Sequence, residues 1–482
     1  MKVLLFNPPQ YYGIPVIRED RCEITERNSV IPPYSLMQLA AILKEKGHEV
    51  ALIDANGEGI SYQDVRHRLV VQSPFDALIF RFTPTTFDHD LKVAELAKEI
   101  SARTITIGLC WTLQSFTKEI LKSCDSLDIY AMGESEATVP NLVDALAQKK
   151  GWEGLRTVKG LAYKMDGAVV YIGAPSEDVD YDALPVPAFD LVNTHRYYNN
   201  TRRNTRFMIV YTSKGCPYNC IYCTMRRTKW KAKSAERVIR EIRTLVRNYG
   251  AKEIGFFDET FTLNRQRVID ICQGLLNEGI KLTWYCNTRV DRVDSELLEL
   301  MRKAGCRGIS YGVESGSQVI LDNAKKGHTV EQARNAINWA KDVGIKTYAS
   351  FMVGLPGESW DTIQETLEFI KSTLPNGAQF NVAVPYPGTE LYKIAKTSGW
   401  IAGNLDWRTL YQHSSAMRTA EMTSSELNQA RKLLYRSLYF NLRWVFENMK
   451  FVIRNPRDIP LATRYYIKSL KFYLLHGMQH GH

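Results

Sequence analysis

No apolar run in this chain approaches the roughly 20 uninterrupted residues that a membrane-spanning helix needs, so a helical integral membrane protein is not expected. The opening, MKVLLFNPPQ, lacks the charged start, apolar stretch and small-residue cleavage site of a secretory leader. The nine cysteines are scattered and do not form the even framework of a small secreted domain. Together these absences point to a reducing cytoplasm, where grouped thiols are more often metal ligands than disulfides. Short-period repeats are also missing, which argues against a solenoid or a propeller. What remains is an ordinary globular balance, 45% apolar and 24% charged, against disorder. At 482 residues the chain exceeds one core and calls for about two to four domains.

Acidic residues are scarce in one place. Between Arg431 and Leu475 ten lysines and arginines face only Glu447 and Asp458, so +8 of the net +10 lies in this tail. Aromatic residues, among them Tyr435, Tyr439, Phe440, Trp444, Phe446 and Phe451, are interleaved with the charges at helical spacing. Two readings stay open. One is an amphipathic helix packed on the rest of the protein with its bases in water. The other is an interfacial helix over 431–475 in peripheral contact with an anionic membrane, which would make the protein membrane-associated and its substrate lipid-like. Nucleic acid is not expected as a partner, because no recognition fold accompanies the charge.

Residues 1–150 alternate apolar runs with amphipathic helical stretches. The runs are KVLLFN (2–7), EVALID (49–54), FDALIFRF (75–82), TITIGL (104–109) and LDIYAM (127–132). This alternation predicts βαβ units, a parallel sheet covered on both faces, and so a doubly wound, Rossmann-like domain. Ligands of such sheets sit beyond the carboxyl ends of the strands. There the chain reads NPPQYYG, DANGEG, RFTPTTF, GLCWTLQ and MGESEAT. Residues 151–205 read as a connector, with a hairpin turning at Asp166-Gly167 and a proline-bearing linker. A second series starts at Arg206: RFMIVYTS, EIGFFD, LTWYCNT, GISYG, KTYASFMVG and QFNVAVP, separated by long helical patterns. Six such strands predict a full or partial barrel over 206–400, with its chemistry at the strand C-termini, followed by a helical tail over 401–482. The fold class expected is therefore α/β: a doubly wound domain, a partial (β/α)6 barrel and a helical C-terminal region.

Directly after the first barrel strand comes KGCPYNCIYCTM, which places Cys216, Cys220 and Cys223 at C-x-x-x-C-x-x-C spacing. A structural zinc site would need a fourth Cys or His at short spacing, and none follows. Three thiolates on one short loop suit a 4Fe–4S cluster with one iron left open to a small-molecule ligand. With the aromatic Tyr222 before the last cysteine, the loop resembles that of the radical S-adenosylmethionine (SAM) superfamily. The resemblance implies that SAM completes the fourth iron through its amino and carboxylate groups. It implies reductive cleavage to methionine and a 5′-deoxyadenosyl radical, fed by an electron donor such as ferredoxin or flavodoxin. It also implies a SAM site at the barrel rim. Tyr222 and the backbone of Gly354 would flank the adenine, and Asp258 and Glu259 would lie near the amino group. Asn287 or Arg289 would reach the ribose or carboxylate, with Glu314 and Ser315 at the end of the fourth strand. Taken singly, each carboxylate is more often a helix cap or surface charge; their shared barrel face favours the site.

A doubly wound domain ahead of such a barrel resembles the cobalamin-binding subgroup of that superfamily, as do IPPYSLMQLAAILKEKGHEVALIDA and ESGSQVILDNAKKGHTVEQ. By that resemblance the cobalamin-contacting residues would be Thr83, Thr85, Gly108, Trp111, Gly133 and Glu134. Two departures stand out: DANGEG carries no histidine for the lower axial position, and GLCWTLQ replaces the group's usual Gly-Gly-x-His-x-Thr. The implied activity is cobalamin-dependent methylation of an unactivated carbon in a hydrophobic small molecule. Ring formation or carbon–carbon coupling above a vestigial domain is the alternative, and a non-catalytic cluster or cobalamin sensor is a third reading. A methylthiotransferase is not expected. The N-terminal half has only Cys22, Cys110 and Cys124, and the tail does not read as β.

Overall fold

The computed structural model describes residues 1–19, 23–24, 29–148, 151–175, 179–199, 206–401, 406, 408, 410 and 417–454. Its first half is a seven-stranded sheet. β1 (Lys2–Asn7), β2 (Glu49–Asp54), β3 (Ala77–Arg81), β4 (Ile105–Leu109) and β5 (Ile129–Ala131) run parallel, in the order β2-β1-β3-β4-β5. β1 shows why the sequence dictates this. Val3, Leu4, Leu5 and Phe6 are all at most 1% exposed, Leu4 and Phe6 facing one apolar layer and Val3 and Leu5 the other. A strand buried on both faces has to be apolar at every position.

The hairpin expected in the connector belongs instead to this sheet. β6 (Leu161–Met165) pairs antiparallel with β5, and β7 (Ala168–Ile172) with β6. The turn between them is as read: Asp166 and Gly167 have φ of 50° and 77°, the left-handed pair of a tight hairpin. The first structural unit thus runs past residue 150, because an antiparallel edge can be added to a parallel sheet without a crossover helix.

The second half is built on β8 (Phe207–Val210), β9 (Glu253–Phe256), β10 (Thr283–Thr288), β11 (Cys306–Glu314), β12 (Lys346–Val353) and β13 (Gly377–Val382). Each strand is parallel to the next, and β8 and β13 form the two edges of an open barrel. Side chains alternate along it. Trp284, Cys286, Ala349 and Phe351 enter the core shared with the outer helices, while Tyr285, Asn287, Tyr348, Ser350 and Met352 are half-buried on the other face. The helices have defined ends. Ser234 accepts a hydrogen bond from the Arg237 N–H to begin the helix Ala235–Tyr249, and Gly250 ends it at φ 62°.

The helix Ser424–Tyr439, here α1, covers the edge strand β13. The Arg431 Nε donates to the Phe380 carbonyl at 2.7 Å, and the Tyr439 hydroxyl bonds both the carbonyl and the N–H of Ala378, at 2.8 and 3.1 Å. Side chains thus occupy the backbone groups that an edge strand leaves open. This part of the tail follows the packing reading; residues beyond 454 lie outside the described residues. Among the described residues no helix is long and apolar enough to cross a membrane.

Candidate active site

The cysteine loop is held at its root by backbone, hydroxyl and carboxylate contacts. After β8, the Thr212 N–H and hydroxyl and the Ser213 hydroxyl all donate to Asp258, at 2.7, 2.5 and 2.6 Å. Asp258 is fully buried and both its oxygens accept from the loop, so it anchors the root of the loop. Gly215 has φ +88°, and a β-carbon there would lie 2.1 Å from the Lys229 carbonyl oxygen, so only glycine fits this turn. The Cys216 N–H donates to the Thr228 hydroxyl at 2.8 Å, and the Ile221 N–H to the Ala324 carbonyl at 3.1 Å. Cys220 is buried; Cys216 and Cys223 are half-buried. Burial, with the neighbouring sulfurs adding to it, raises the Cys216 thiol and pushes the Cys223 thiol up to about 12. Thiols that resist becoming bare thiolates need a cationic partner to ionise. Among the described residues no three His, Cys, Asp or Glu side chains converge as ligands of a single metal ion do. Three thiols of one loop match the donor set of a polynuclear cluster.

Around this loop the barrel rim gathers charge. At a β-bulge in β11, Glu314 adopts φ 70° and pairs with Lys326 at 2.8 Å, and the Lys326 Nζ lies 3.3 Å from the Tyr222 hydroxyl. Glu314 and Lys326 are both buried, and the positive charge of Lys326 draws down the Cys223 thiol. Lys326 was not singled out from the sequence; a lysine among lysines (Lys325-Lys326) reads as surface until the bulge turns Glu314 toward it. Arg289 is placed differently from a free ligand-binding cation. Its fork holds Asp291 at 2.8 and 3.2 Å and the Lys326 carbonyl at 2.7 Å, and its guanidinium lies 3.7 Å from the centre of the Tyr218 ring. Tyr218 stands between Cys216 and Cys220, so Arg289 braces the loop.

The remaining rim residues divide in the same way. Glu259 is half-buried, and its charge helps to raise the Cys216 thiol. Asn287 is half-buried on the interior face of β10. Ser315 is buried in a turn, its hydroxyl against Thr366 and the Ser317 N–H. Gly354 has φ +92°, donates its N–H to Glu358 at 3.1 Å, and leaves room for Leu427 of α1. Leu355, its neighbour, shares an apolar patch with Tyr222.

The rim of the first sheet faces this loop. The Trp111 indole N–H reaches the carbonyl of Thr224, next to Cys223, at 3.4 Å. Glu134 pairs with Lys231 at 2.8 Å and Glu136 with Lys214 at 3.1 Å, so both tie the first sheet to the two-stranded ribbon, Ser213–Lys214 with Lys231–Ala232, that flanks the cysteine loop. Farther in, Tyr34 donates to Glu241 at 2.9 Å, and Lys233 bonds both. Thr83 sits in a closed network: its hydroxyl meets Thr86, Thr86 donates to Asp90, and Asp90 pairs with the buried Arg18 at 2.6 Å. Gly108 lies inside β4 with its open side filled by Phe82, and Gly133 (φ 74°) is covered by Pro175. Thr85 alone of the six keeps a buried hydroxyl with no partner. For cobalamin the rim therefore offers that hydroxyl and the half-buried Trp111, opposite the cysteine loop, and DANGEG supplies no histidine.

The radical SAM superfamily model matches residues 210–370. An uncharacterised methyltransferase of Pyrococcus horikoshii is 32% identical over 469 residues, 94% of this chain and 96% of that one. The anaerobic magnesium-protoporphyrin IX monomethyl ester cyclase of Rubrivivax gelatinosus is 30% identical over 75% of this chain and 66% of its own length. The fold is similar to that of OxsB, a cobalamin-dependent SAM radical enzyme solved with aqua-cobalamin and SAM bound (TM-score 0.74, 20% identity, 99% of this chain and 76% of that one). With the cysteine loop at the end of the first barrel strand, the chain belongs to the radical SAM superfamily and is an enzyme of that kind, and it shares with OxsB the fold in which a doubly wound domain is set against the barrel.

Proposed function

We propose that this enzyme cleaves SAM reductively at a 4Fe–4S cluster and methylates an unactivated carbon of an apolar small molecule with the help of cobalamin. The reading rests on one juxtaposition: the rim of the first sheet meets the three-cysteine loop directly, through Trp111 and Thr224. When bound, the cluster supplies the electron that splits SAM into methionine and a 5′-deoxyadenosyl radical, and cobalamin supplies a transferable methyl group. The chain's own residues hold and orient. Cys216, Cys220 and Cys223 ligate iron; Arg289 and Tyr218 fix the loop; Lys326, held by Glu314, offers a buried cation to the SAM carboxylate; Tyr222 and Leu355 offer an apolar wall to its adenine. Glu259 and Asn287 face the same space.

The half-buried face of the barrel supports an apolar or aromatic substrate. Met352, near the C-terminal end of β12, lines this face beside the patch of Tyr222, while Tyr285 and Tyr348, packed over Gly308 and Gly377 nearer the N-terminal ends, close its floor. Methyl transfer is favoured over cyclisation because the methyltransferase relative matches nearly end to end, whereas the chain spans 66–77% of the length of three such cyclases. Ring formation or carbon–carbon coupling is the second reading.

The test is anaerobic expression with cobalamin supplied, cluster reconstitution, and incubation with methyl-labelled SAM and an apolar extract of the source cells. Near-stoichiometric corrin, 5′-deoxyadenosine and label in an apolar product are expected. Deoxyadenosine with an unlabelled, altered product and no corrin would replace methylation by ring-forming or coupling chemistry.

A further inference from the structure

The second C-terminal helix, α2 (Leu442–Arg454), is not arranged as a packed helix with a wet basic face. One side is fixed. Trp444 is 4% exposed and its indole N–H donates to the Pro375 carbonyl at 2.8 Å; Asn448 accepts from Asn376 at 3.3 Å. On the other side Leu442, Phe446, Met449 and Ile453 are 84, 58, 55 and 68% exposed. At a helical repeat of 3.6 residues these four fall within an arc of about 60°. Arg443 and Lys450, both exposed, border the arc on one flank. Exposed apolar side chains are ordinary when single, but a continuous stripe marks a contact surface.

We propose that this stripe docks the protein on an anionic phospholipid bilayer. An amphipathic helix with an apolar face and a basic border is the pattern of interfacial helices. The charge fits that occupant: +8 of the chain's net +10 lies in 431–475, and anionic headgroups attract such segments. A second copy fits less well, since an antiparallel two-fold pairing of the stripes would set Arg443 and Lys450 of each copy beside those of the other. The position carries a further consequence. Pro375 and Asn376 precede β13, so α2 sits at the N-terminal end of the barrel strands, whereas the cysteine loop follows the C-terminal end of β8. Docking leaves the cluster face clear of the lipid surface, and membrane binding and SAM cleavage are separable.

The experiment is flotation of the full chain with phosphatidylglycerol/phosphatidylcholine vesicles and with pure phosphatidylcholine vesicles, alongside 5′-deoxyadenosine assays of the reconstituted enzyme. Wild type floats with the anionic vesicles only, and less at high salt. The double variant Phe446→Glu/Ile453→Glu lowers the bound fraction by about tenfold or more, and Arg443→Glu/Lys450→Glu lowers it with a weaker dependence on salt. Both variants keep wild-type deoxyadenosine formation, since these surface positions touch neither core nor site. No flotation of wild type, or equal flotation of the Phe446/Ile453 variant, overturns the proposal. A concentration-dependent dimer in sedimentation velocity that Phe446→Glu abolishes assigns the stripe to a second copy and overturns it as well. So does flotation that appears only after removal of residues 455–482, which assigns the stripe to the chain's own tail.

Discussion

The two rims that face each other across this molecule are built on opposite principles. On the barrel side, three half-buried or buried thiols, a buried lysine paired to a strained glutamate, and the half-buried Glu259 and Asn287 surround the cysteine loop. On the side of the first sheet, most polar groups at the strand ends are already joined to each other: Thr83 to Thr86, Thr86 to Asp90, Asp90 to Arg18, Glu134 to Lys231. On the proposed reading the barrel rim braces itself with Asp258 and Arg289 and keeps Lys326, Glu259 and Asn287 for a ligand. The other rim uses its polar groups to fix loop shape, which would leave ligand contact to Trp111, Thr85 and backbone. A position at the C-terminal end of a parallel strand therefore marks where a ligand lies, without saying which side chain reaches it.

The sharpest break in the comparison comes from the thiols. Replacing Cys216, Cys220 or Cys223 by Ala should abolish the visible absorbance of the cluster and reduce 5′-deoxyadenosine to background. The loop is held by Thr228, Ala324 and Asp258, so far-UV circular dichroism should not change. Retained SAM cleavage in any of the three would remove the cluster assignment.

Next in size are two of the buried ion pairs, one on each rim. Arg18→Met strands the buried Asp90, and Lys326→Met strands the buried Glu314; each should cost about 3–5 kcal/mol in denaturant unfolding. They should part company in function. Arg18→Met should leave the SAM dissociation constant of the folded, reconstituted enzyme near wild type, whereas Lys326→Met should raise it by about 10- to 100-fold through the loss of a charge-assisted contact. Equal SAM affinity in the two variants would erase the distinction between the rims.

A third difference is in pH. Burial raises the Glu358 carboxyl to about 7, although Thr362 and the N–H groups of Gly354 and Leu355 pull it down. The folded protein therefore keeps a proton that the unfolded chain releases near pH 4.5, and stability falls as pH rises from about 4.5 to 7, by about 3 kcal/mol in all. Glu358→Gln should flatten that slope in urea titrations at pH 5 and pH 8. An unchanged slope would mean that another group carries it.

How much of this was legible beforehand follows from range. The succession of strands along the chain and the parallel sheets were readable because they rest on local periodicity, as in KVLLFN and QFNVAVP. The three-cysteine loop was readable because spacing and a preceding strand sufficed. The roles of Asp258 and Arg289 were not. Both lie where a ligand-binding residue would lie, yet their partners, Thr212 and Tyr218, stand 46 and 71 residues away and only the barrel brings them together. Lys326 was hidden for the converse reason, since its value depends on a bulge at Glu314 that no pattern of residue types announces. The hairpin 161–172 was seen as a hairpin but not as a pair of sheet strands, because pairing with β5 leaves no local mark.

The smallest effect tests the closed rim most directly. Thr85 and Thr86 are adjacent, yet only Thr86 has its hydroxyl donating to a carboxylate, Asp90, while the Thr85 hydroxyl is buried without a partner. Thr86→Val removes a hydrogen bond to a charged group and should cost about 1.5–3 kcal/mol. Thr85→Val removes a hydroxyl that is desolvated for no return, so stability should be unchanged or rise by up to about 1 kcal/mol. An unpaired buried donor persists at a rim for a reason, and here the candidate reason is a bound ligand. Corrin retained after reconstitution should therefore fall in Thr85→Val while folding does not suffer, whereas Thr86→Val should lose stability first and corrin only through it. If Thr85→Val binds corrin as wild type does, this rim holds its ligand without that hydroxyl, and the weight moves to Trp111 and the loop backbone.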